Sequence, residues 1–281
     1  MSDRFDRVAV SGASSGIGKA FARRLARRGA SVMLIARDRI RLERAADELS
    51  TADAELDIVV ADLADEASLR RLEDRLAAAE LDLLVNAAGL ARSGLFATLG
   101  PDDAEVQVRV NVLALMRLTG AVLPGMVGRG HGAVINVSSL MAFDDRAGWS
   151  PYVATKAFVN RFTENLAVEL DGSGVIVQAL CPGPVDGTEF FATAGFDSSV
   201  FPPEVVMGPD DVAAASLVAL RRREVVCVPG LPDPAAIEGH RLARVRVLRE
   251  GRQGTLAERY RPAEPPTTGT ARLVTDERLH P

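Results

Sequence analysis

Lysine is almost missing from this 281-residue chain: Lys19 and Lys156 stand against 31 arginines. Tyrosine is as scarce, with only Tyr152 and Tyr260, and there are two cysteines, three histidines and one tryptophan. Cys181 and Cys227 lie far apart in apolar runs, which excludes a disulfide framework and makes both read as buried, reduced thiols. No CxxC pair or Cys/His cluster has ligand spacing, so no metal is expected. His131, His240 and His280 fall in no motif that would pair a histidine with a carboxylate or nucleophile, and they are expected to be structural or solvent-facing. There is no unbroken apolar run of about 18 residues, so no transmembrane helix is expected. The charged opening MSDRFDR lacks the apolar core of a signal peptide, and a cytoplasmic location follows as the expectation. Positive charge is not in excess either: the formal net charge is -5 and the pI about 5.4. Neither nucleic acid nor an anionic membrane is an expected partner.

What is present is a regular alternation. Short apolar runs at 7–12, 31–36, 56–63, 81–89, 132–139, 175–183 and 225–228 read as strands. Between them, 19–29, 38–50, 66–79, 151–170 and 209–221 carry helical periodicity. Residues 103–129 suggest one long helix, interrupted near Pro124. Strands that are near-continuous apolar runs and separated by helices mean βαβ units and a mostly parallel sheet covered on both faces. The composition changes after about residue 229. We therefore expect a catalytic domain over 1–235 and an extension over 236–281, basic at first, then Pro/Thr-rich and partly flexible. The arginines of 240–261 suit a solvated helix face better than a contact to a partner or phosphate.

SGASSGIG (11–18) falls between the first strand and the first helix. Gly12, Gly16 and Gly18 let backbone approach a pyrophosphate, and the following helix N-terminus faces its charge. At the end of the second strand, dinucleotide-binding folds often place an acid on the adenosine ribose. Here the residues are Ala36 and Arg37. A guanidinium can clamp a 2′-phosphate that an acid would repel, with Ser14 adding a hydroxyl, so NADP is favoured over NAD.

Tyr152 precedes Lys156 by four residues, a coincidence of two rare residues expected by chance about once in seventy chains of this kind. On a helix the two share a face, so an ammonium beside the phenol is expected to lower its pKa and fit it for proton transfer. Thirteen residues upstream lies Ser139, at the carboxyl end of a strand, where open α/β sheets bind ligands. Ser138 is its adjacent rival.

Gly12-x-x-x-Gly16-Ile17-Gly18, Asp62-Leu63, Asn86-Ala87-Ala88-Gly89, Asn111, Ser139, Tyr152-x-x-x-Lys156 and Pro182-Gly183 together resemble the short branch of the short-chain dehydrogenase/reductase family, over about residues 5–230. The resemblance implies a single Rossmann-type, doubly wound parallel α/β sheet of seven strands, in the order 3-2-1-4-5-6-7. It also implies a nicotinamide cofactor bound by Gly12, Ser14, Ser15, Gly16, Ile17, Gly18 and Arg37. Asp62 and Leu63 would contact adenine; Asn86, Ala87 and Gly89 would line the adenosine side and support the central strand. Pro182, Gly183 and Val185 would border the nicotinamide. Ser139 would bind the substrate oxygen, Tyr152 would exchange a proton with it, and Lys156 would hold the nicotinamide ribose. Asn111 would hold a water linking Lys156 to solvent. The family also commonly pairs its two long helices across a two-fold axis, so a homodimer or homotetramer is expected. One departure is PGPVDGT (182–188), with an extra residue before Thr188, which puts the threonine's usual contact in question.

Substrate selection should lie in 140–151 and 185–208. Phe143, Trp149, Phe190, Phe191, Phe196, Phe201 and Met207 suit either an apolar pocket under a mobile lid or ordinary core packing. Asp144, Asp145 and Arg146 suit either a polar reader or a solvated turn. The expected function is NADPH-dependent reduction of a medium-sized, largely apolar ketone. The alternatives are alcohol oxidation with NADP by the same residues, and a catalytically silent cofactor sensor. A nucleotide-sugar epimerase or dehydratase is disfavoured by the glycine spacing and the short C-terminal segment.

Overall fold

The computed structural model describes residues 5–50, 54–188, 190–195 and 201–261. Phe196, His280 and the Pro/Thr-rich tail lie outside the described residues. Seven parallel strands form one sheet in the order β3-β2-β1-β4-β5-β6-β7, as expected. They are β1 (Arg7–Ser11), β2 (Ser31–Ala36), β3 (Leu56–Val60), β4 (Leu83–Asn86), β5 (Gly132–Val137), β6 (Val175–Leu180) and the short β7 (Val226–Cys227). Every pairing is parallel, for example Val8 opposite Leu83 and Val85 opposite Ile135.

Strand alternation divides the core into two layers. Val8, Val10, Leu34 and Val85 face α1 (Gly16–Ala26), α2 (Arg39–Leu49) and α8 (Pro209–Arg221), where Phe21, Leu42 and Leu217 meet them. Ala9, Ile35, Leu84 and Val134 face the other way, onto Leu72 of α3 (Glu66–Ala78), Leu118 and Met126 of α5 (Leu115–Arg129), and Leu166 of α6 (Ser150–Glu169). With both faces covered, β5 and β6 are buried at every position, which explains why they are apolar except at Asn136 and Gln178, both hydrogen-bonded within the core.

The long helix departs from the expectation. It does not break near Pro124, which is carried inside α5. The change comes earlier: α4 (Pro101–Val108) passes into a π-helical turn, Arg109–Ala114, and then into α5. Together they form a 29-residue helical run whose most apolar window has a mean hydropathy of 1.6, enough by length and composition alone to cross a membrane. A search for unbroken apolar runs overlooks it. Leu115, Leu118, Val122 and Met126 are buried in the second core layer, so this is a core helix.

The contacts divide the chain after Pro232. The second unit contains α9 (Ala235–Glu250), which buries no side chain and pairs Arg241 with Glu238 at 2.6 Å and Arg246 with Glu250 at 2.8 Å. The arginines of α9 are exposed along the helix, Arg244 only in part.

Candidate active site

A cavity of about 830 Å³ lies at the carboxyl ends of the strands, a size that suits a cofactor with a small substrate. At one end is the β1–α1 turn, and each of its glycines has a separate steric reason. Gly12 and Gly16 have φ of +70° and +52°, the region that favours glycine. A Cβ on Gly18 would lie 2.3 Å from the Gly12 carbonyl oxygen. The contrast between helix starts is informative. Asp38 and Asp65 cap α2 and α3 by accepting from Arg41 N and Ser68 N. By contrast, α1 has no side-chain cap and no acid in its first turn. Its N–H groups and positive dipole end remain for an anion. A dinucleotide pyrophosphate fits this cradle.

The far wall of this end carries Ala36, Arg37 and Arg41. The nearest acid, Asp38, has turned its carboxylate onto the N-terminus of α2. Arg41 was missed in the sequence, although it lies one helical turn beyond Arg37. Asp62 and Leu63 also line the cavity, and Asp62 is fixed by accepting from Ala64 N at 2.9 Å.

At the other end α6 presents Tyr152 and Lys156 one turn apart, each 4% exposed. The Lys156 Nζ donates to the Val137 carbonyl at 2.8 Å and lies 5.7 Å from the Tyr152 ring centroid. Ser138 and Ser139 now separate by role. The Ser138 hydroxyl is committed to the Lys156 carbonyl at 3.0 Å. Ser139 accepts from Met141 N at 3.1 Å, at the head of a 3-10 turn, and its hydroxyl lowers the Tyr152 pKa by hydrogen bonding. The Tyr152 pKa nevertheless does not fall as the sequence suggested. Burial dominates and raises it above the usual 10.0, because desolvation of a phenolate outweighs its neighbours. The same desolvation pulls Lys156 down to about 8.

Two asparagines are held by protein partners. Asn86 is absent from the cavity wall. Its amide donates to Asn136 Oδ1 at 2.9 Å and Thr119 Oγ1 at 3.1 Å, bracing the sheet against α5. The wall is made by its neighbours Ala87, Ala88 and Gly89. Asn111, in the π turn, accepts from Leu90 N at 2.9 Å and donates to Leu90 O at 2.8 Å and Thr155 Oγ1 at 3.1 Å. Both amide donors are therefore occupied by protein, which leaves acceptor oxygens of Asn111 as the groups that could hold a water. Thr155 in turn donates to the Tyr152 carbonyl at 2.7 Å, so Asn111 positions the catalytic turn of α6.

A family model described as short chain dehydrogenase matches residues 6–197. The chain is a short-chain dehydrogenase/reductase. The NADP-dependent 3-hydroxy acid dehydrogenase of Escherichia coli (strain K12) is 36% identical over 216 residues, covering 74% of this chain and 86% of that protein. A short chain dehydrogenase of Pseudocercospora fijiensis is 38% identical over 182 residues, which span 63% of this chain but only 59% of that protein. Among solved structures, a short-chain dehydrogenase from Sphingobium yanoikuyae in complex with NADPH matches with a TM-score of 0.85 and 39% identity, over 91% of this chain and 100% of that chain. The bulky-bulky ketone specific alcohol dehydrogenase of Comamonas testosteroni matches with a TM-score of 0.82 and 32% identity, over 92% and 99%.

As a short-chain dehydrogenase/reductase, the chain is an NAD(P)-dependent oxidoreductase acting on CH–OH groups. The remaining expected residues sit accordingly. Ser14, Ser15, Ile17, Pro182, Gly183 and Val185 all border the cavity. The extra residue before Thr188 is absorbed in a turn at Asp186–Gly187, where Gly187 has φ +61°. Thr188 still reaches the cavity, and its methyl would lie 2.8 Å from a Cβ on Gly16. Phe143, Trp149, Phe190, Phe191 and Phe201 line the substrate end, whereas Met207 packs on the core. Cys181, fully buried and donating to Asn160 at 3.2 Å, has its thiol pushed up to about 12 by burial.

Proposed function

We propose that the chain is an NADPH-dependent ketoreductase for ketones with bulky, largely apolar substituents. One observation carries the chemistry: a buried phenol lines the cavity one helical turn from Lys156, with the Ser139 hydroxyl hydrogen-bonded to it. A phenol that holds its proton at neutral pH is ready to donate one to a carbonyl oxygen that gains negative charge. NADPH, when bound, supplies the hydride. Ser139 holds the carbonyl oxygen by hydrogen bonding, Tyr152 delivers the proton, and the Lys156 ammonium offers donors to ribose hydroxyls while stabilising the phenolate left behind. The pairing of Arg37 with an Ala36 that carries no charge supports NADPH over NADH.

The substrate class follows from the walls. Trp149 and Phe190 stack with centroids 6.4 Å apart, and Phe190 stands 5.1 Å from Tyr152. These faces suit apolar groups on either side of a carbonyl, in keeping with the bulky ketones named for the Comamonas relative. A second reading, a 3-oxo acid, draws on Arg146 at the cavity wall and on the Escherichia coli relative. Against it, Arg146 is more than half exposed and paired with Asp144 at 3.1 Å, so a carboxylate there would compete with both Asp144 and water. The deciding experiment is steady-state NADPH consumption with bulky diaryl and aryl-alkyl ketones beside 3-oxo acids. Higher kcat/KM on the bulky ketones supports the proposal, and preference for the acids overturns it.

A further inference from the structure

The two aromatic walls of the substrate end come from different loops, and one short segment ties both. Trp149 follows the turn at Gly148. Phe190 and Phe191 belong to α7 (Phe190–Thr193), a four-residue helix. A helix that short has little internal ladder to hold it, here the bond from Ala194 N to Phe190 O at 2.9 Å, and its terminal carbonyls need partners. They find them in the segment after β4. The Arg92 Nη1 donates to Thr193 O at 2.6 Å, and the Ser93 hydroxyl donates to Ala194 O at 2.6 Å. The next residue, Gly94, donates its N–H to Gly148 O at 2.9 Å.

This segment is itself fixed from behind. Gln107 of α4, fully buried, accepts from Arg92 N at 3.1 Å and donates to Asp103 O at 2.9 Å. Asp103 accepts from Arg92 Nε at 3.3 Å. The Arg92–Asp103 ion pair is half-exposed and adds little by itself. Its consequence is geometric: the planar guanidinium is oriented so that Nη1 meets the end of α7. Ala91 and Ala194 pack with Tyr152 directly beside these bonds, so a shift of α7 would be felt at the phenol.

We propose that Arg92 and Ser93 are positioning residues that hold α7 and thereby set the width of the substrate compartment. Neither lines the cavity. Their effect passes through the backbone carbonyls that they hold, to Phe190 and Phe191. The substrate arm of this proposal rests on the ketoreductase reading, whereas the structural arm does not.

The test uses the full chain as wild type, Arg92→Ala, Arg92→Lys and Ser93→Ala. Hydrogen–deuterium exchange at residues 190–195 should accelerate about tenfold in Arg92→Ala, the lower range for loss of a charge-assisted hydrogen bond. Exchange in β5 and β6 should not change. Lysine can still donate to Thr193 O, so Arg92→Lys should recover most of the protection. With NADPH saturating, KM for a bulky ketone should rise about tenfold in Arg92→Ala. The kcat on a small aliphatic ketone and the Kd of NADPH should stay within about twofold. Should Arg92→Ala fail to fold, Ser93→Ala, which removes one hydroxyl, should still accelerate exchange at 190–195 several-fold. Unchanged exchange at 190–195 in a folded variant overturns the proposal. So does acceleration spread evenly over the molecule, or equal loss on small and bulky ketones. If the wild type consumes no ketone, the ketoreductase reading fails, and the exchange data still decide the role of Arg92.

Discussion

Replacing Lys156 with methionine should make the cofactor-free protein more stable relative to wild type at neutral pH than at high pH. The lysine is 4% exposed, and one hydrogen bond to the Val137 carbonyl does not replace its lost hydration. Desolvation lowers its pKa from 10.5 to about 8 in the folded state. Below pH 8 both folded and unfolded chains carry the proton, and the full cost of burying the ammonium is present. Between about 8 and 10.5 the unfolded chain binds a proton that the folded chain has released, so this contribution to stability rises with pH. Above 10.5 the cost is gone. At about 1.4 kcal/mol for each pH unit, the cost is about 3 kcal/mol. Methionine has similar reach and no charge. The stability difference between Lys156→Met and wild type, from urea unfolding, should therefore be about 3 kcal/mol more favourable to the variant at pH 7 than at pH 10.5. Loss of the bond to Val137 counts more at pH 7, where an ammonium donates it, than at pH 10.5, and so trims the difference without reversing it. A difference that stays flat within about 1 kcal/mol across that range would refute the argument. It would mean that Lys156 is solvated or paired in a way that the geometry does not provide.

Arg37→Ala should weaken NADPH binding about 10- to 100-fold, as loss of charged hydrogen bonds to a phosphate does, and leave NADH within about threefold; parallel titrations check this, and equal losses would remove Arg37 from 2′-phosphate recognition. Gly18→Ala should lower the melting temperature and weaken NADPH binding at least tenfold, because its Cβ would stand 2.3 Å from a backbone oxygen that cannot swing aside. Gly183→Ala meets only Leu140 Cδ2 at 3.9 Å, so its melting temperature should match wild type; a large drop there would show that the cavity wall is tighter than described.

Much of this was legible because local and global signals agree. Val8, Ala9 and Val10 alternate between two helix layers as period two requires, and the glycine turn sits where strand gives way to helix. Tyr152 and Lys156 stood out through the scarcity of both residue types. The failures have particular causes. Pro124 gave a local signal for a break, but the helix changes at Arg109–Ala114, where Asn111 is pulled onto Leu90, 21 residues away. Nothing in RVNVLA announces that contact. Asn86 supports the central strand as expected but does not line the cavity: it shares a strand face with Leu84, whose side chain points into the α3–α5 layer, and that alternation aims it at Thr119. The Tyr152 pKa was misjudged because spacing reports the nearby ammonium and not the depth of burial. Arg92 and Gln107 carry no motif, and their role exists only once α7, 101 residues away, folds back over them.

The most direct test of the central claim compares Tyr152→Phe with wild type, measuring NADPH affinity by nicotinamide fluorescence and turnover on the best ketone of the panel. The account predicts an NADPH Kd within about twofold of wild type and a turnover lower by about 10²- to 10⁴-fold, the range for loss of a general acid. Wild-type turnover in Tyr152→Phe would contradict it and assign the proton to another group.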